Sequence, residues 1–293
     1  MELAEIRPFE PQMAEIDLFT MPDAVGVGEP SVRKVKPYIS GHITDASSTF
    51  TFKVNNADVT VPVDANGNWK WVVDRTITSL VEAFKDKSTL DKCYLYKVKT
   101  SGSCQNMFQN CTALVELTLD NSLSDTSTLY GFFNGASAQK TVVCKGVTFK
   151  NVASCWRALM RCDSIVGLEQ ATFENSTTCY QMFYNYKGTT LDLRSADFSN
   201  STSMAGMFTI ASGSAPLENL NIKKLGLSTT VGAFSNLTEQ SVINIFNAVA
   251  ADGITLTFHP TVYAIIQAQL DIEDSPIYNA YWNSDYDFTI ISA

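Results

Sequence analysis

Apolar and polar residues follow one rule over most of this chain and a different one near its start. The segments SLVEAF (79–84), SCQNMF (103–108), TLYGFF (128–133), SCWRAL (154–159), TCYQMF (178–183), SMAGMF (203–208) and TTVGAF (229–234) align without gaps. Their last residues, Phe84, Phe108, Phe133, Leu159, Phe183, Phe208 and Phe234, lie 24, 25, 26, 24, 25 and 26 residues apart. A period of this length is the mark of a solenoid, in which no unit buries its own apolar face and stacked neighbours share one core.

Inside each unit the large apolar residue is preceded one position earlier by Ala, Met or Phe. Four positions earlier stands Leu80, Cys104, Leu129, Cys155, Cys179, Met204 or Thr230. Apolar positions at i, i+3 and i+4 share one face of a helix, so the spacing predicts a short helical turn per unit aimed into a common core. A β-prone stretch follows, as in Tyr94-Leu95-Tyr96, Leu117-Thr118-Leu119, Val142-Val143-Cys144, Leu191-Asp192-Leu193, Leu220-Asn221-Ile222 and Leu256-Thr257-Phe258. The reading is an α/β repeat solenoid, leucine-rich-repeat-like, with one short helix and one short strand per unit of about 25 residues. It has seven recognisable units over residues 77–258.

Residues 38–76 obey a period of two. Phe50, Phe52 and Val54, then Val59, Val61 and Val63, then Trp69, Trp71 and Val73 alternate with neighbours on the opposite face. They predict a three-stranded β-meander, Ig-like, with turns at Asn55-Asn56 and 64–68. So small a module is expected to dock on the first repeat. Residues 1–37 hold five prolines and no sustained period, which reads as an extended arm. Its apolar residues Phe9, Met13, Ile16, Leu18, Phe19 and Met21 are candidate anchors to a partner. Helical spacing returns at 239–250 and 261–270, and an aromatic-rich end (Tyr278, Tyr281, Trp282, Tyr286, Phe288) completes residues 259–293 as a cap over the last repeat.

Charge and cysteine content narrow the partners. A net charge of −9 repels phosphate backbones, so nucleic acid is not expected. Glu2, Glu5, Pro8 and Pro11 stand where a signal peptide needs positive charge and an apolar run, and no stretch is long and apolar enough to span a membrane, so neither Sec export nor a membrane partner is expected. Seven cysteines, odd in number and without a CxxC pair, read as reduced core thiols.

The run Met107-Phe108-Gln109-Asn110-Cys111-Thr112-Ala113-Leu114-Val115-Glu116-Leu117-Thr118-Leu119 resembles the BspA-type leucine-rich repeat, a Met-Phe turn followed by Asn-Cys and a Leu-x-x-Leu-x-Leu strand. The resemblance covers roughly residues 79–258, with Leu159 in place of Phe and Tyr186 in place of Cys as departures. It implies the surface proteins of Bacteroides-like bacteria or the virion proteins of phages that infect them. The expectation is therefore a non-enzymatic virion structural protein, a capsid decoration, head-fibre or tail-associated subunit assembled in the host cytoplasm. Its arm would hold other virion proteins in an oligomeric assembly, and its solenoid would meet a host-surface protein or glycan. The alternative is a bacterial surface adhesin.

Catalytic and metal-binding patterns are sparse. His42 and His259 stand apart without ligand spacing, HExxH, GxSxG and Walker loops are absent, and the pair Gly26 and Gly28 reads as a loop. Asp64-x-Asn66-x-Asn68 lacks the glycine and the closing glutamate of a calcium loop and reads as a hairpin turn. Asp120, Asp125, Asp192 and Asp197 fall at varied repeat positions and read as connectors rather than paired glycosidase carboxylates. No catalytic residue, metal or cofactor is expected.

Overall fold

A computed structural model describes residues 35–211 and 216–293, and Pro37–Ala293 form one unit. The candidate anchors Phe9, Met13, Ile16, Leu18, Phe19 and Met21, like Gly26 and Gly28, lie outside the described residues.

The repeat is a β-solenoid of about six turns. One wall is a parallel sheet of β5 (Leu90–Tyr96), β6 (Glu116–Asp120), β7 (Lys140–Lys145) and β8 (Cys162–Val166), with Cys93 opposite Leu117 and Leu117 opposite Val142. It is extended by the separate parallel pair β9 (Thr190–Phe198) and β10 (Asn219–Leu225). Inward residues alternate with outward ones, as the period-two pattern requires. The strand β8, with the sequence CDSIV, has no counterpart in the Leu-rich pattern and is new.

The expected helical turns are absent. Residues 104–111 form two successive four-residue turns, closed by Met107 N–H to Cys104 C=O (3.3 Å) and Cys111 N–H to Phe108 C=O (3.2 Å). The third residue of each is left-handed, Asn106 at φ 54° and Asn110 at φ 58°. That is the geometry of type II turns, which favour Gly or Asn at the third position. The next unit repeats it with Gly131 and Gly135. Tandem turns place their corner residues, i, i+3, i+4 and i+7, on the inner face, so the spacing that mimics a helix arises from corners instead. The even-numbered amides bond to the next rung: Cys104 N–H to Thr128 C=O, Asn106 to Tyr130, Phe108 to Phe132 and Asn110 to Asn134, at 2.9–3.1 Å. Backbone groups that a helix would satisfy internally are satisfied between rungs.

The seven repeat-core residues, Phe84, Phe108, Phe133, Leu159, Phe183, Phe208 and Phe234, are all buried. Phe84 and Phe108 stack at 5.1 Å, and Phe183 and Phe208 at 5.7 Å. A second column, Phe149, Phe173 and Phe198, stacks at 5.5 and 5.8 Å. All seven cysteines are buried free thiols. Burial pushes Cys104, Cys111 and Cys162 up to about 12.

Both ends are closed. At the amino side β1 (Tyr38–Ile43) pairs antiparallel with β5 and with β4 (Asn68–Val72), while β2 (Thr49–Val54) and β3 (Ala57–Pro62) form a hairpin across the left-handed Asn55-Asn56 turn. The module thus has four strands rather than the three of a meander. It docks on the first rung as expected: Phe52 packs 5.1 Å from Phe84, and Lys53 N–H donates to Ala83 C=O.

At the carboxyl side the segment 229–234 departs from the other rungs, entering as a strand before a turn closed by Phe234 N–H to Val231 C=O (3.0 Å). Its strand β11 (Thr229–Val231) pairs with β12 (Ile254–Phe258), which pairs with β13 (Phe288–Ser292), all parallel. Leu256-Thr257-Phe258 therefore continues the turn side of the solenoid, not the sheet of β5–β8. Helices α1 (Glu239–Asn247), α2 (Pro260–Leu270) and α3 (Pro276–Trp282) complete this end. Phe246 is covered by Phe258, Tyr281 and Phe288, with ring centroids 5.2–6.0 Å away.

Candidate interaction surface

The outward positions of the turn wall are the second and third residues of each turn, and the core leaves their identity free. At the second position three successive rungs carry Tyr130, Trp156 and Tyr180. Tyr130 stacks on Trp156 at 4.6 Å and 13°, and Trp156 on Tyr180 at 6.4 Å and 11°. Gln105 and the exposed Ala205 hold the same position on the flanking rungs, so the ladder spans three rungs in the middle of the solenoid.

Beside it, the third positions of one rung hold Arg157 (φ 50°) and Arg161 (φ 58°), both left-handed. The rung before has glycine at both places, and the rung after has Gln181 and Asn185. The Arg157 guanidinium lies 4.5 Å from the Trp156 ring centroid, a cation–π contact. Its Nε donates to Gln181 Oε1 (2.8 Å) and its Nη1 to Asn134 Oδ1 (3.1 Å). Arg161 Nη1 donates to the Ser137 carbonyl at 3.4 Å. Both arginines line a cleft of about 330 Å³ together with Gly135, Met160 and Tyr184. Among the described residues neither arginine has a carboxylate within ion-pair distance.

A larger surface hollow of about 700 Å³ lies at a corner of the solenoid, lined by Lys97, Lys99, Asn121, Ser124, Asp125 and Gly146. Its Asp125 is engaged by Lys150 at 3.9 Å.

The four aspartates considered as catalytic pairs are each tied to a base. Asp120 pairs with Lys145 (3.7 Å), Asp125 with Lys150, Asp197 with Lys224 (3.2 Å), and Asp192 with Arg194. Asp120 is buried and also accepts from the Tyr94 hydroxyl at 3.0 Å, so it is a structural acceptor rather than a solvated connector. Hydrogen bonds from Ser199 and the Lys224 ammonium hold the Asp197 carboxyl below its usual range despite partial burial.

His42 Nδ1 meets Asp91 at 2.6 Å, and His259 caps α2 by accepting from Thr261 N–H. Asp64 accepts from the Asn66 and Asn68 amides within its turn, which holds its carboxyl below the usual range. Of the terminal aromatics Tyr281 and Phe288 pack inward, whereas Trp282 stays 64% exposed. Among the described residues there is no His/Cys/Asp/Glu cluster able to hold a metal, and no helix is long and apolar enough to cross a membrane.

Neither the aromatic ladder nor the arginine pair follows from the period of the core positions. Their signal is present in the sequence, as the aromatic third letter of TLYGFF, SCWRAL and TCYQMF and as Arg157 within SCWRAL and Arg161 two residues after it, where the two preceding units carry Asn or Gly. No family model, no curated protein and no solved structure matches this chain.

Proposed function

We propose that this protein is a non-enzymatic structural and binding subunit that displays its turn wall to a partner while residues 1–37 attach it to a larger assembly. The observation that carries this reading is the contrast of charges. Asp120, Asp125, Asp192 and Asp197 are each paired with a base, whereas Arg157 and Arg161 stand beside a three-ring aromatic ladder with no carboxylate within ion-pair distance among the described residues. Arginine and aromatic residues together are the composition of binding hot spots. With the repeat pattern resembling BspA-type proteins, the assembly we favour is a phage particle, the protein serving as a decoration, head-fibre or tail-associated subunit that contacts the host surface.

Peptide mass spectrometry of gradient-purified particles from the encoding strain tests the location. The protein is expected to co-sediment with capsid components at a stoichiometry that falls when residues 1–37 are deleted. Recovery only with the bacterial outer surface would replace the virion by an adhesin. A Trp156→Ala variant that attaches to host cells as well as the parent would remove the turn wall as the contact face.

A further inference from the structure

We infer that the cleft around Arg157 and Arg161 binds an acidic saccharide, a sugar unit bearing a carboxylate or sulfate group. This rests on reading the turn wall as the contact face and names what that face recognises. Each guanidinium carries five N–H donors in a planar fork suited to such anions. Arg157 commits donors to Gln181 Oε1 and Asn134 Oδ1, and Arg161 to the Ser137 carbonyl, so both are oriented with donors to spare. Because the two amides turn their oxygens toward Arg157, their NH₂ groups are left to meet sugar hydroxyls. The Trp156 ring under Arg157 fixes the fork in place.

The cleft volume, about 330 Å³, sits at the small end of the roughly 300–1,000 Å³ typical of small-ligand sites, which fits the end of a glycan. An acidic peptide is the competing occupant. Extended peptides draw affinity from backbone pairing to a free strand edge. Here the amides are already consumed between rungs: Gly131 N–H bonds to Trp156 C=O, Arg157 to Tyr180 and Arg161 to Tyr184. The wall offers side chains, not an edge.

Conformation gives an independent handle. Asn106 and Asn110 occupy the corresponding left-handed positions two rungs away. Asparagine adopts this region more readily than arginine. Arg157→Asn and Arg161→Asn should therefore fold as well as the parent or better, so a loss of binding in them is a loss of recognition.

The experiment uses the full chain with four probes: oligogalacturonate, a sulfated dextran oligosaccharide, its neutral dextran counterpart, and a short poly-glutamate peptide. Titration calorimetry is expected to show binding of one or both anionic saccharides and none of neutral dextran. Each Asn variant should weaken that binding by about tenfold or more, with the thermal midpoint unchanged or raised. As a second variant, Arg161→Lys keeps the charge but loses the fork and should also weaken it.

No binding of either anionic saccharide, equal binding of poly-glutamate, or full binding by the double Asn variant would each overturn the assignment. Attachment to host cells separates this from the parent reading. Attachment lost in Trp156→Ala and in the Asn variants but not competed by either saccharide removes the saccharide and keeps the contact face. Attachment unchanged in every wall variant, while the parent binds an anionic saccharide and the Asn variants lose that binding, removes the contact face and keeps the cleft.

Discussion

The strand wall and the turn wall solve the same stacking problem with different backbones, and the difference decides where recognition can reside. On the strand wall, outward side chains answer one another across rungs: Lys92 faces Glu116 at 3.5 Å, Lys145 faces Asp120 at 3.7 Å, and the Tyr94 hydroxyl donates to Asp120. Cross-strand pairing of this kind stabilises the sheet and leaves its surface electrically quiet. On the turn wall the corners supply the core, joined at one second position by the buried Met160. Outward positions there carry Tyr130, Trp156, Tyr180, Arg157 and Arg161, and the two arginines find no acid among the described residues.

The comparison holds only if both walls press on one shared core. Phe108 from the turns and Leu117 from β6 are fully buried in the same cluster. Phe108→Ala is expected to cost about 3–5 kcal/mol and Leu117→Ala about 2–5 kcal/mol in urea unfolding. Should Phe108→Ala cost under about 1 kcal/mol while Leu117→Ala costs its full amount, the turns would be a covering laid over a strand core and the two-wall description would fail.

The two walls were unequally legible in the sequence for a physical reason. A period of two has one structural meaning, so β5, β6, β7, β9 and β10 stand where the alternating residues place them, as do β2 and β3 of the amino-terminal module. A spacing of i, i+3, i+4 has two, because tandem four-residue turns bring their corners inward at the same intervals as a helix. What separates them is the residue between the corners. Asn106 and Asn110, then Gly131 and Gly135, mark left-handed third positions that an interior helix would not favour. Glu82 and Asp86 in the first unit, Arg157 and Arg161 in the fourth and Gln181 in the fifth take the same left-handed geometry without that marker, so those positions carry no such signal. Strand β1 was missed because its YISGHI sequence, with polar Ser40 and His42 around Gly41, has no apolar alternation. Its pairing partners, β4 and β5, supply what its own sequence lacks.

Lys140 marks the seam between the walls and sharpens the comparison through pH. It opens β7 with its side chain fully buried, and its Nζ donates to the carbonyls of Ala136 (3.3 Å), Ala138 (2.5 Å) and Arg161 (3.1 Å). Burial pushes its ammonium down to about 8. Below that pH both the native and unfolded states hold the proton and the burial penalty stands in full. Between about pH 8 and the ordinary lysine value near 10.4 the native state releases the proton first, the unfolded state binds more, and stability gains with pH. Buried thiols with raised values work in the opposite direction, so the measurement is a difference against Lys140→Met, which shares those thiols. The wild type is expected to improve relative to the variant by on the order of 3 kcal/mol across this window. A flat difference would mean that the seam is open to water and the walls part there.

The smallest effect concerns how much each wall yields to an added methyl group. Gly135, on the turn wall, has φ 72°, and a Cβ there would lie 2.0 Å from Asn110 Oδ1, the end of a side chain that can swing away. Gly167 follows β8, has φ 87°, and would place its Cβ 1.9 Å from the Cys144 carbonyl oxygen, which belongs to the backbone of β7. Both alanine variants meet the left-handed penalty of about 1–2 kcal/mol. Only Gly167→Ala must also displace a strand, and overpacking of that kind adds about 1–3 kcal/mol. Urea midpoints for the pair should therefore separate by that amount, with Gly167→Ala the less stable. Equal midpoints would show the turn wall to be as unyielding as the sheet, and the freedom of its outward positions would then have to come from side chains alone and not from the backbone that carries them.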